Sequence, residues 1–145
     1  MDYIADTLKP MIDARYRTMP ERACTGVMGG SMGALMSLYA VTAYNEVFSK
    51  AACVSPAIGM CYPQMLHSCR EMALNPDTRV YISWGENEAR DKKSLTHITA
   101  QSLEIANVLM AKGARVYPFI QEDGRHCEED WQKQTAEFMR FLWLE

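Results

Sequence analysis

Four short apolar runs, each followed by residues with helical spacing, leave few ways to fold this 145-residue chain. Cys24 to Gly29 (CTGVMG), Ala51 to Ser55 (AACVS), Arg79 to Trp84 (RVYISW) and Ala114 to Gln121 (ARVYPFIQ) have the length and composition of strands. Between them lie SMGALMSLYAVTAY from Ser31, a short helical stretch near Gln64 to Ala73, and Ser94 to Lys112. In the last of these Leu95, Ile98, Ile105, Leu109 and Met110 share one face ahead of Gly113, a helix-ending glycine. Strands that alternate with helices pair in parallel through right-handed crossovers, so the pattern predicts an α/β fold of about four parallel strands with flanking helices. Pro118 places the fourth run at a sheet edge, because proline has no N–H for a second ladder. A first helix, about Asp2 to Arg17, carries Ile4, Leu8, Met11 and Ile12 on one face and is interrupted at Pro10. A last helix, about Glu128 to Leu144, aligns Trp131, Thr135, Phe138, Met139 and Leu142. The three crossovers should put their helices on one sheet face and leave mainly the last helix for the other.

A hydrophobic share of 48% fits one globular domain spanning residues 1–145. The net charge of -3 comes from 18 acidic and 15 basic residues that are well mixed, which argues against nucleic acid or an anionic membrane as partner. Five cysteines, an odd number without a CxxC pair, fit reduced thiols and a cytoplasmic protein better than a disulfide framework. No segment has the uninterrupted apolar stretch of a signal peptide or a membrane span.

The strongest local signal is Gly29-Gly30-Ser31-Met32-Gly33, a G-x-S-x-G at a strand-to-helix junction, the context of a nucleophile elbow. A Cβ at Gly29 or Gly33 is expected to collide across so tight a turn, and the serine at its tip is held in a strained conformation. The Met32 amide falls at the N-terminus of the next helix, where a free N–H and the helix dipole can stabilise an oxyanion. Two loops follow at the ends of later strands, WGENE (84–88) and EDGRH (122–126), in the chain order Ser, acid, His. Ser31 and His126 are therefore the candidate nucleophile and base. Ser31 as a plain helix N-cap and His126 as an ordinary loop histidine are the competing readings. His67 and His97 read as surface residues, and Ser55 sits at a strand end without elbow glycines. The acid is Glu88, Glu86 or Asp91, with Glu88 preferred for standing three residues after Gly85 and Asp123 as the outsider. Cys127, beside the histidine, has no elbow of its own. No histidine sits in a ligand-spaced pair, so neither a metal site nor a cofactor is expected.

The stretches YIADTLKPMIDARYR, GVMGGSMGALMSLYA, VFSKAACVSPAIG, YISWGENEARD and EDGRHCEEDW together resemble the Putative esterase family of α/β hydrolases, which includes enterochelin esterases and esterase D-like enzymes. The resemblance implies a serine-dependent carboxylic ester hydrolase acting through an acyl-enzyme on a small-molecule ester. Ser31 would be nucleophile, His126 base, Glu88 acid, and Met32 one oxyanion-hole amide. It also implies a partial fold. The family places four or more strands before the elbow, whereas here one helix and one strand precede Ser31, and the loop giving a second oxyanion donor belongs to the other half. The alternative is a truncated or degenerate hydrolase domain serving as a scaffold or binding module. Either way the first strand is expected at an open sheet edge, which predicts a homo-oligomer, in the simplest case a dimer.

Overall fold

The computed structural model describes residues 1–145 and contains one parallel sheet in the order β1 (Gly26–Gly30), β2 (Lys50–Val54), β3 (Arg79–Gly85), β4 (Arg115–Gln121). Gly26, Lys50, Arg79 and Arg115 stand side by side at its start, so all four strands deliver their C-terminal ends to the same side of the molecule. Pro118 lies in β4, which pairs only with β3, as its missing N–H requires. The other edge is β1.

The helices are α1 (Lys9–Arg15), α2 (Met32–Ala43), α3 (Tyr62–Glu71), α4 (Lys92–Ala111), α5 (Glu128–Trp131) and α6 (Thr135–Trp143). Side chains alternate across each strand, and the two faces therefore have separate cores. Ala51, Cys53, Val80 and Ile82 pack against Leu35, Leu38 and Val41 of α2, Met65, Leu66 and Cys69 of α3, and Ile105 and Leu109 of α4. Ala52, Val54 and Tyr81 pack against Phe138, Phe141 and Leu142 of α6. The crossover helices thus share one face, as right-handed connections along sequentially ordered strands demand. Each large apolar side chain so buried contributes about 1.5–3 kcal/mol. Arg79 Nη1 donates to the Phe141 carbonyl at 3.0 Å, satisfying an acceptor that the end of α6 leaves unpaired, and Arg115 Nη1 donates to the Glu145 main-chain oxygen beyond it at 2.8 Å.

Three helical expectations need correction. The N-terminal segment is a π-helical turn, Tyr3–Leu8, running into α1; Pro10 cannot donate back, and Lys9 N bonds instead to Ile4 O. Its stripe of Ile4, Met11 and Ile12 is exposed, and Ala5 is the residue buried, against Ala40 and Phe48. On α4, Met110 is exposed while Gln101, Ser102 and Ala106 take inward positions. The last helix is interrupted by a 3-10 turn, Gln132–Gln134. Phe141, three residues after Phe138 on the same helix, is inward with it, and Thr135 and Met139 are outward. The turn lets Gln134 reach under the sheet face, where its Oε1 accepts from Tyr81 Oη (3.0 Å) and its Nε2 donates to Gln121 Oε1 (2.6 Å). No helix is long and apolar enough to cross a membrane.

Candidate active site

Ser31 joins β1 to α2 with φ 54° and ψ −115°, a region a non-glycine residue occupies at a cost of about 1–3 kcal/mol. It is held there from both sides. Its N–H donates to Val54 O at 3.0 Å, and its carbonyl accepts from Leu35 N at 3.1 Å and Ala57 N at 3.2 Å. The turn is tight enough that a Cβ on Gly29 would stand 2.6 Å from the Gly33 carbonyl carbon. Gly33 itself departs from expectation, since a Cβ there would meet nothing within 4 Å. The close approach across the turn is Gly29 onto the Gly33 backbone, so of these two glycines only the first is sterically required. Met32 opens α2, where the helix leaves its N–H without an intrahelical acceptor and directs the positive dipole end at the serine.

The two later loops bring their side chains to this point. His126 Nε2 lies 2.9 Å from Ser31 Oγ, and His126 Nδ1 lies 2.7 Å from Glu88 Oε1. The Glu88 side chain is 5% exposed, and its second oxygen accepts from Gly85 N at 2.8 Å, which fixes the carboxylate on the end of β3. The histidine side chain is 40% exposed, leaving an approach for a substrate. The competing acids are engaged elsewhere. Asp91 caps α4, accepting from Ser94 N (2.8 Å) and Ser94 Oγ (3.0 Å), which also holds its carboxyl below the usual range. Glu86 accepts from Asp123 N at 3.1 Å, and Asp123 Oδ1 accepts from Asn87, so these residues stitch the two loops together. His67 and His97 are exposed on α3 and α4, the latter paired with Gln101.

Asp130 carries no motif in the sequence, yet the structure gives it a part in the site. Its side chain is 3% exposed and accepts from Arg125 N (3.0 Å), Arg125 Nε (2.9 Å) and Lys133 Nζ (2.5 Å). The Arg125 guanidinium, then Lys133, hold its carboxyl well below the usual carboxylate range. It thereby ties down the loop that carries His126. Cys127 Sγ points to the same carboxylate at 3.5 Å, away from a nucleophilic role. The sequence signal for it is an acidic residue in the first helical turn after the histidine, with Lys133 three residues on and Arg125 in the loop five residues before. A concavity of about 800 Å³ runs along Asp91 and along Lys93, Ser94 and His97 of α4 and includes none of the three clustered residues. His, Cys, Asp and Glu side chains nowhere gather as a group of three fit to hold a metal ion.

A sequence profile of the Putative esterase family matches residues 1–142. The chain belongs to that family. A ferulic acid esterase superposes over 97% of this chain with a TM-score of 0.77 at 13% identity, and an enterobactin esterase from Shigella flexneri over 97% with 0.79 at 17%. These likenesses establish the fold as that of α/β-hydrolase esterases. An uncharacterized protein of Bacillus subtilis, YbbA, is 28% identical over 112 residues, 76% of this chain. The chain spans 44% of YbbA, 59% of the ferulic acid esterase chain and 37% of the enterobactin esterase chain.

Proposed function

We propose that this chain is a serine-dependent carboxylic ester hydrolase working through an acyl-enzyme on Ser31. The observation that carries the reading is the unbroken line Ser31 Oγ, His126 Nε2, His126 Nδ1, Glu88 Oε1, with links of 2.9 and 2.7 Å, built on a serine whose backbone is strained. Family membership and the esterase fold support it.

In this reading His126 Nε2 takes the Ser31 proton as Oγ attacks the ester carbonyl carbon. Glu88 keeps the Nδ1 proton in place and offsets the imidazolium charge. The Met32 amide donates to the oxyanion of the tetrahedral intermediate. Collapse breaks the bond to the alcohol, which leaves with the proton from His126. Water then attacks the acyl-enzyme, His126 accepting its proton and returning it to Ser31 Oγ as the carboxylic acid departs. The competing reading, a hydrolase fold kept as a scaffold, predicts no turnover. Hydrolysis of short-acyl p-nitrophenyl esters by the purified chain separates the two. Ser31→Ala and His126→Ala should each fall to the background rate; activity that survives in Ser31→Ala removes it as nucleophile.

A further inference from the structure

Trp131, the last residue of α5, touches three strand-end loops at once. Its ring and the His126 imidazole lie 5.0 Å apart at 87°, one edge-on to the other. Its Nε1–H donates to Ser55 Oγ at 3.0 Å. Its six-membered ring fills the space over Gly30, the residue before Ser31, so closely that a Cβ on Gly30 would stand 2.5 Å from Cε3.

The acceptor is itself unusual. Ser55 is 1% exposed, follows β2 with φ 51°, and has its N–H tied to Ser83 O at 2.8 Å. A left-handed serine persists only where its surroundings enforce it. Here that conformation sets a buried hydroxyl against the indole N–H and so fixes where the ring stands. The imidazole needs such a wall. Hydrogen bonds at opposite nitrogens set its direction in plane but leave it free to rock about the line joining them, and the side chain is 40% exposed. A flat ring nearly perpendicular to it blocks that motion.

We propose that Trp131 is a positioning residue, which holds the His126 imidazole in line between Ser31 and Glu88 from a seat fixed by the Ser55 hydroxyl. The proposal rests on the esterase reading of the site. It requires that the indole N–H and the Ser55 hydroxyl matter to turnover, which simple coverage of the sheet by an aromatic ring does not.

Trp131→Phe keeps an aromatic wall but loses the hydrogen bond, and Ser55→Ala removes only its acceptor. Each should lower kcat about tenfold with little change in KM, because misplacement by about 1 Å can cost up to about 10²-fold. The double variant should be no worse than either single one, since both remove the same bond. Trp131→Ala should lose about 100-fold. A readout independent of turnover is the imidazole ¹⁵N shifts of His126 in the neutral ring. The parent should hold the single tautomer protonated at Nδ1, and Trp131→Phe and Trp131→Ala should show averaging of the two. Unchanged kcat in Trp131→Phe and Ser55→Ala, or tautomer averaging already in the parent, overturns the proposal. A parent that hydrolyses no ester refutes the esterase reading alone, and the ¹⁵N shifts then decide the role of Trp131.

Discussion

Replacing Glu88 by Gln changes one oxygen for an amide nitrogen and tests the acid with almost no change in shape. Both carboxylate oxygens are committed to donors: Oε1 to His126 Nδ1 at 2.7 Å and Oε2 to Gly85 N at 2.8 Å. An amide can serve only one of them. If its oxygen stays on Gly85, its NH₂ faces Nδ1, which must become the acceptor, and the proton moves to Nε2. His126 then has no lone pair for the Ser31 hydroxyl. If the oxygen turns to Nδ1 instead, two N–H groups meet between buried Gly85 and a side chain that is 5% exposed in the parent, where an unmatched polar group costs about 1–3 kcal/mol. A triad histidine in the wrong tautomer loses about 10⁴ in kcat, so the expected loss is about 10³–10⁴, or roughly 4–5.5 kcal/mol of barrier. The assay is kcat on a short-acyl p-nitrophenyl ester, alongside Glu86→Gln and Asp91→Asn, which should stay within a few-fold of the parent. A Glu88→Gln enzyme within tenfold of the parent, or equal losses in all three, refutes the argument.

Acid should weaken the histidine loop through Asp130. Its folded pKa is depressed by Arg125 and Lys133, so its contribution is complete above the ordinary carboxylate value of about 4 and fades as pH falls below it. Urea unfolding of the parent and Asp130→Asn should therefore differ most near neutral pH and converge towards pH 2; a gap that persists unchanged contradicts this. The second expectation concerns assembly. β1 pairs only with β2, Met28 on it is 49% exposed, and Met11, Ile12 and Met19 are exposed on the segment ahead of it. We expect a homodimer that covers this edge. Light scattering on a size-exclusion column tests it, and a monodisperse monomer at tens of micromolar refutes it.

Much of this was legible in the sequence because it depends on local pattern. Strand runs and turn glycines gave a parallel sheet, and Pro118 gave an edge. A serine between glycines at a strand-to-helix step marked Ser31 before any distance was known. The failures share one cause. Phe141 shares the inward face of Phe138 by plain helical spacing, but Gln134 takes the inward place ahead of them because it satisfies Tyr81 and Gln121, a partnership across elements that no helical period encodes. The symmetry of the motif suggests a clash at both Gly29 and Gly33, but only Gly29 has one, because the direction of a Cβ depends on the turn. Likewise the three acidic residues of one loop were separated only by what each one bonds, Asp91 capping α4, Glu86 meeting Asp123 N and Glu88 meeting His126.

Covalent labelling by a fluorophosphonate tests the central claim most directly, because the probe needs an activated serine and no knowledge of the substrate. Intact mass of the purified chain should rise by one probe adduct, with peptide mapping to Ser31. Ser31→Ala should remain unlabelled and His126→Ala should label far more slowly than the parent. Unlabelled parent chain, or an adduct that persists in Ser31→Ala, would contradict the account.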